Sequence, residues 1–323
     1  MSVSNRVGVL LVQVGTPEAP TPRALKKYLK EFLSDPYVID VPRMFWWPIL
    51  HFLILPFRSK KSALAYQEIW TQKGSPLLAT CRSLLEKIQD KNKNFIFGIG
   101  MGYGNPSLRE GLQNLKQKGC EEIIVLPLFP QFSTATTASV LHGIEKNLTS
   151  FHFSEIKKIK NYHDHPLYIE ALTKQIQNFW NKNGRPQKIL ISFHGLPQRF
   201  LVKRNDPYLE QCQKTTELLT KNLGLQEKDY QLCFQSRFGK GEWLQPYLDE
   251  TLSSLTTQGF TDVHVVCPGF SIDCLETLHE VGIEMKKVFL EAGGKKFHYI
   301  PALNDSEDHV EMLERLLFDC QIF

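Results

Sequence analysis

Short apolar runs rich in β-branched and aromatic residues recur along this chain, each followed by a stretch with helical spacing. This alternation restricts the fold more than any other feature. The runs cover residues 7–14, 94–100, 122–128, 188–193, 230–235 and 262–268, and they read as strands of parallel α/β sheets. Several end in Gly, Pro, Ser or His, residues that turn the chain at the carboxyl edge of a sheet, where open α/β folds hold their ligands. A chain of 323 residues can build two such units, each with its own core. The polar, weakly periodic stretch 147–153 marks the division, so the expected domains are 1–150 and 151–323, with the C-terminal helix able to pack back on the first. No fixed-period repeat links the halves; their likeness is one of architecture.

Hydrophobic residues make up 42% of the chain and charged residues 22%, a balance too apolar for disorder. The net charge of +4 comes from 38 basic and 34 acidic residues spread along the sequence, so no nucleic-acid surface is expected. Seven cysteines, at 81, 120, 212, 233, 267, 274 and 320, form no CxxC pair and no zinc-type spacing, which suits reduced thiols in the cytoplasm. Met1 to Arg6 leads into an apolar stretch with no long signal core and no small-residue cleavage site, so no export address is expected. The greasiest stretch, from Met44 to Phe57, carries Trp46, Trp47, Pro48 and Phe52 but is interrupted by His51 and bounded by Arg43 and Arg58. Crossing a bilayer takes about 20 apolar residues, so this stretch reads either as a buried core helix or as an anchor lying in a membrane surface.

Gly98-Ile99-Gly100-Met101-Gly102-Tyr103-Gly104 follows a strand as a phosphate cradle would, but Tyr103 and Asn105 stand where the third glycine of G-x-G-x-x-G would fall. The run reads instead as a close approach of the backbone to a ligand, or as a tight strand exit. A nucleotide-dependent oxidoreductase is disfavoured accordingly.

Chemistry concentrates at the later strand ends. In Ser192-Phe193-His194-Gly195-Leu196-Pro197 a histidine sits on a turn above the sheet, able to exchange protons near neutral pH or to serve structurally by bonding a loop carbonyl. Asp273, Glu276, Glu280 and Glu284 are spaced by three, four and four residues; if 272–290 is one helix, they form an acidic stripe, either solvated or able to meet a divalent cation. Gln235-Ser236-Arg237-Phe238-Gly239, with Trp243 beyond it, supplies a cation and an aromatic plate, and Arg237 suits a ligand carboxylate or a structural ion pair. The hydroxyls of residues 133–137, Ser133 among them, stand where a helix begins, and capping explains some of them.

These motifs occur together with Cys267-Pro268-Gly269-Phe270, Leu128-Phe129-Pro130-Gln131-Phe132 and Gly74-Ser75-Pro76-Leu77, and in this order the chain resembles the ferrochelatase family, from Val7 to about Glu314 and most closely its Gram-negative bacterial members. The resemblance implies an α/β fold of two Rossmann-like domains, each a four-stranded parallel sheet flanked by helices, with a porphyrin cleft between them. It implies a lyase of haem biosynthesis that inserts Fe2+ into protoporphyrin IX, releasing two protons and forming protohaem. Carried over by position, His194 matches the catalytic histidine and Glu276 the acidic residue across the macrocycle. Asp273, Glu280 and Glu284 match an acidic path on a helix with a π-type irregularity, so His194, Glu276, Asp273 and Glu280 are the residues expected to meet the metal. Tyr66, Tyr103, Ser133 and Trp243 correspond to cleft or lip positions, and Arg237 is grouped with them as a porphyrin contact. The stretch 44–57 matches the lip through which porphyrin enters, which favours a peripheral contact with the inner membrane. Porphyrin and ferrous iron are then the partners, nucleic acid is not, and a monomer is expected.

The chain departs from the family pattern in places. Cys274 stands where animal enzymes have histidine and many bacterial ones cysteine; Gly102 stands where some relatives have a cleft arginine, and Val14 replaces a larger cleft residue. Cys320 is alone where some relatives hold an iron–sulfur cluster, so neither a cluster nor any tightly bound cofactor is expected, iron being the substrate. A planar porphyrin takes up metal slowly because its inner nitrogens are protonated and its ring is rigid. Binding energy from the ring periphery can bend it and expose the nitrogen lone pairs, leaving His194 to take the protons on one face while Glu276 assists on the other. Coproporphyrin III as substrate, a cobalt-inserting enzyme of the same fold, and a haem or metal carrier are the alternatives.

Overall fold

The computed structural model describes residues 6–239 and 241–322; the leaderless reading of residues 1–5 lies outside them. Two four-stranded sheets organise the chain. The first contains β1 (Val7–Thr16), β2 (Phe95–Gly104), β3 (Glu122–Pro127) and β4 (Glu155–Lys158); the second contains β5 (Lys188–His194), β6 (Tyr230–Gln235), β7 (Asp262–Val266) and β8 (Lys296–Ile300). All pairings are parallel, and the orders β2-β1-β3-β4 and β6-β5-β7-β8 repeat one topology. In each sheet the strand that comes first in sequence lies inside, with neighbours on both edges. Hence Val9, Leu10, Leu11 and Val12 of β1, and Ile189, Leu190 and Ile191 of β5, are apolar in unbroken runs and buried on both faces.

Helices cover these sheets. Pro22–Leu33, Pro76–Lys91 and Pro166–Asn183 each open on proline, whose missing N–H costs nothing in a first turn. Leu108–Gln117 opens on a capping box: Ser107 Oγ accepts from the Glu110 N–H at 3.2 Å, and Glu110 accepts from the Ser107 N–H at 2.6 Å. This helix also explains the glycine run of β2. A Cβ at Gly111 would stand 2.7 Å from the Ile99 carbonyl oxygen, and one at Gly98 3.3 Å from Leu115. The close approach expected at that run is made by a helix of the same unit.

The chain forms two units, one comprising the described residues to Phe129, Ser133–Asn161 and the segment from Asp305, the other Pro130–Phe132 and Tyr162–Asn304. The division follows β4 instead of falling at 150, because β4 pairs with β3, Ile156 lying opposite Ile123. The first core is built on Leu10, Val12, Leu112, Leu115, Ile123 and Val125, the second on Leu190, Leu252, Val263, Val265 and Phe289. The C-terminal helix Glu307–Ile322 belongs to the first unit. Ahead of it, Asp305 accepts from Ser83 Oγ at 2.5 Å and pairs with Lys87 at 2.9 Å; within it, Glu307 pairs with Lys91 and Phe318 packs on Phe95 at 6.0 Å between ring centres. Among the described residues no helix is long and apolar enough to cross a membrane.

Candidate active site

In the second unit β5 has β6 on one side and β7 on the other, so successive connections leave in opposite directions, and ligands of open α/β sheets gather at the carboxyl end of such a switch point. His194 is the last residue of β5, half-buried. Its Nδ1 lies 2.7 Å from the Gly195 carbonyl oxygen. A carbonyl only accepts, so in the neutral ring Nδ1 carries the proton and Nε2 keeps the lone pair. The turn after it is tight: the Gly195 N–H donates to the Gln235 carbonyl at 2.6 Å, and a Cβ at Gly195 would meet that oxygen at 2.8 Å and the Trp243 ring at 3.2 Å. Trp243 therefore plates the turn that carries His194. Its indole Nε1 is buried and has no hydrogen-bond partner among the described residues.

Gln235, at the end of β6, ties the surroundings together. Its Oε1 accepts from Ser192 Oγ at 2.7 Å and Cys267 Sγ at 3.4 Å, while its Nε2 donates to the Glu276 carbonyl at 3.4 Å. One buried amide thus connects the ends of β5 and β6 and the residue after β7 to the first residue of the acidic segment. Sequence reasoning named Gln235 as the head of a motif but gave it no role; its signal was a polar side chain following the apolar Leu232-Cys233-Phe234.

The acidic segment differs from the single helix 272–290 expected. Glu276–Met285 is a π-helix that continues as the α-helix Lys286–Glu291, and Asp273 lies ahead of both. Asp273 is buried with both oxygens engaged: Oδ1 accepts from Thr277 Oγ1 at 2.8 Å, Tyr299 OH at 2.6 Å and the Ala302 N–H at 3.4 Å, and Oδ2 from Asn304 Nδ2 at 2.7 Å. Its carboxylate holds the turn that starts the segment. Glu276 and Glu280 are half-buried and Glu284 is exposed. Glu280 Oε2 accepts from Ser236 Oγ at 2.7 Å. Burial lifts the Glu280 pKa above the usual carboxylate value; the Ser236 bond and His194 draw it down, and Glu276 and Glu284 push it up. Glu280 therefore feels the charge of His194 and of both neighbouring carboxylates. Cys274 is buried, and its thiol is held well above the ordinary range by burial first and Glu276 second.

Arg237 is committed elsewhere. Its guanidinium pairs with Asp249 and Glu250 at 2.8 Å each and lies 4.1 Å from the Tyr247 ring centre, the structural ion pair of the two uses open to it.

The remaining expected site residues belong to the first unit. Tyr103 OH and Ser139 Oγ both donate to Asp35 Oδ2, at 2.7 and 2.6 Å, and burial holds the Tyr103 hydroxyl far above its ordinary pKa. Tyr66 is buried edge-on to Trp70 at 5.9 Å. Ser133 accepts from the Ala135 N–H at 3.2 Å and caps the short π-helix Thr134–Ala138. A Cβ at Gly102 would stand 3.1 Å from both the Val14 carbonyl and Val140, so a larger residue enters only if these give way.

The stretch 44–57 is helical throughout: Arg43–Pro48, the π-helix Ile49–Ile54, then the start of Leu55–Ile69. Leu50 and Leu55 face the core with Leu29 and Leu33, and Trp46 Nε1 donates to the Leu33 carbonyl at 2.6 Å. The other face is apolar and open, with Met44 76%, Phe52 68% and Phe57 72% exposed beside Phe45, Trp47 and Leu53. The stretch therefore packs as a core element on one face and leaves the other apolar face open.

A ferrochelatase family model matches residues 6–319. A relative from Methylococcus capsulatus is 48% identical over 97% of this chain and 96% of its own, and one from Vibrio cholerae is 46% identical over 99% and 100%; both are named ferrochelatase. Among solved structures, the sirohydrochlorin chelatase SirB of Bacillus subtilis subspecies spizizenii, in complex with cobalt, matches 98% of this chain and 95% of its own with a TM-score of 0.59 at 11% identity, a likeness of fold.

Proposed function

Because the chain belongs to the ferrochelatase family, we propose that it inserts ferrous iron into protoporphyrin IX, with His194 as the base and Glu276 and Glu280 as the acidic groups that meet iron. Two pyrrole N–H bonds break, four Fe–N bonds form, and the two protons released balance the charge of Fe2+. The enzyme is a lyase, iron is its cargo, and no resident cofactor enters the step.

One observation carries the role of His194. With Nδ1 bonded to the Gly195 carbonyl, Nε2 is the basic nitrogen, placed at the sheet edge by a closely packed turn. Glu276 and Glu280 are oxygen donors suited to a transient divalent ion. The metal-meeting set then narrows to His194, Glu276 and Glu280, and Asp273 serves as the anchor of their segment. Trp243, lying on Gly195, is the favoured porphyrin contact beside His194.

Protoporphyrin is favoured over coproporphyrin III by the similarity to the Gram-negative relatives. A place in the cytoplasm, resting on the inner membrane, is supported by the open apolar face of 44–57, flanked by Arg43 and Arg58.

The test is anaerobic steady-state assay of the purified protein with ferrous iron and each porphyrin, followed by porphyrin fluorescence. Protoporphyrin IX should turn over faster. His194→Ala should lose at least about 100-fold in kcat with its porphyrin Kd nearly unchanged. Porphyrin binding without insertion would make the protein a carrier, and faster turnover of coproporphyrin III would overturn the choice of substrate.

A further inference from the structure

We infer that Ser236 is a positioning residue for iron entry: its hydroxyl holds the Glu280 carboxylate, and the backbone at Ser236 takes a left-handed conformation to reach it. The inference deepens the ferrochelatase reading and rests on it.

Three non-glycine residues have positive φ, Asn205 at 47°, Ser236 at 67° and Asn304 at 54°, among the described residues. Asparagine tolerates that region, whereas for serine the Cβ crowds the following carbonyl, and such strain gathers where function requires it. Glycine would serve the backbone better at 236. What glycine lacks is the hydroxyl, and that hydroxyl donates to Glu280 Oε2 at 2.7 Å.

Glu280 needs such a hold. It is half-buried, with the carboxylates Glu276 and Glu284 four residues away on either side along its own segment. Glu284, four residues on, is exposed to water. Without Ser236, burial and repulsion would both turn Glu280 toward solvent. The preceding residue grips the same segment one turn earlier, since Gln235 Nε2 donates to the Glu276 carbonyl while Ser192 and Cys267 lock its other end. A π-helix is seldom sustained by its own hydrogen bonds over ten residues, and these two side chains support Glu276–Met285 from outside.

The experiment compares wild type, Ser236→Gly and Ser236→Asn. Both replacements accept positive φ, but only asparagine can donate to Glu280. Thermal unfolding, porphyrin Kd by fluorescence quenching, and kcat and KM for ferrous iron are measured on each. Ser236→Gly should keep or raise Tm and leave porphyrin Kd unchanged. Its KM for ferrous iron should rise about tenfold or more, the scale of lost supporting contacts at metal-handling groups, while kcat changes less than about threefold. Ser236→Asn should recover most of that KM. An unchanged iron KM in Ser236→Gly, a fall in Tm that accounts for the lost activity, or a weakened porphyrin Kd each overturns the inference, the last by placing Ser236 against the porphyrin. A wild-type protein that binds porphyrin but inserts no iron overturns the parent reading, and this one with it.

Discussion

A methyl group added at Gly195 would stand 2.8 Å from the Gln235 carbonyl and 3.2 Å from the Trp243 ring, so alanine there must push the His194 turn away from β6. Gly195→Ala should lose about 1–3 kcal/mol in urea unfolding through overpacking. Because the shift falls on the neighbour of the base, turnover should drop by about 100-fold, the cost of misplacing a reacting group by about 1 Å. Asp273 allows a reciprocal test. Asp273→Asn sets two amide donors against each other at Asn304 and should cost about 1–3 kcal/mol, as should Asn304→Asp, which sets two carboxylates together. Exchanging both residues restores a donor and an acceptor, so the double variant should recover much of the loss. His194 was legible because its motif is local. The single helix 272–290 was misread because spacing of three and four implies a shared helix face only where a helix exists, and here the helix starts after Asp273. The ion pairs that occupy Arg237 join the end of β6 to the helix Leu248–Thr257, a tertiary contact that no spacing rule reveals.

Among elements, the inner strands announced themselves because burial on both faces demands continuous apolar sequence. Of the edge strands, β2 and β6 were legible but β4 and β8 were not: β4 reads Glu155-Ile156-Lys157-Lys158, and β8 mixes lysine, histidine and tyrosine, the polar dress of a protected edge. Across β7 and β8, His264 is buried with its ring centre 4.9 Å from that of His298 and 5.4 Å from that of Phe179. Burial pushes its pKa from 6.5 down to about 4, with His298 and Lys296 adding to the effect. The unfolded chain therefore takes up this proton before the folded one. Stability from His264 is complete above pH 6.5 and is lost as pH falls toward about 4. Between pH 7.5 and 4.5 wild type should lose about 2–3 kcal/mol more than His264→Leu in urea titrations. The outward face of 44–57 makes a separate prediction. Replacing Phe52 and Phe57 by serine should lower partition onto anionic vesicles by about tenfold per residue, read by cosedimentation, since each withdraws an aromatic side chain's worth of apolar area.

For the molecule as a whole, the sequence suggested two units of similar build, and both are present with one strand order. The boundary was harder to read because domain membership is decided by pairing and packing at long range: β4 joins the first sheet, and the last helix joins the first unit. Leu313 is fully buried on that helix, so Leu313→Ala should destabilise by about 2–5 kcal/mol. Hydrogen exchange should then quicken in Pro76–Lys91 before it does in β5 or β6. The same return of the chain sets an order of completion during synthesis. Ser83 leaves the ribosome 222 residues ahead of Asp305, its hydrogen-bond partner, and Phe95 waits as long for Phe318. The second unit is whole once Asn304 has emerged, while the unit begun first is still uncovered. A nascent chain halted at that point would offer the Phe95 side of its first sheet to chaperones, with the strands that carry His194 already closed.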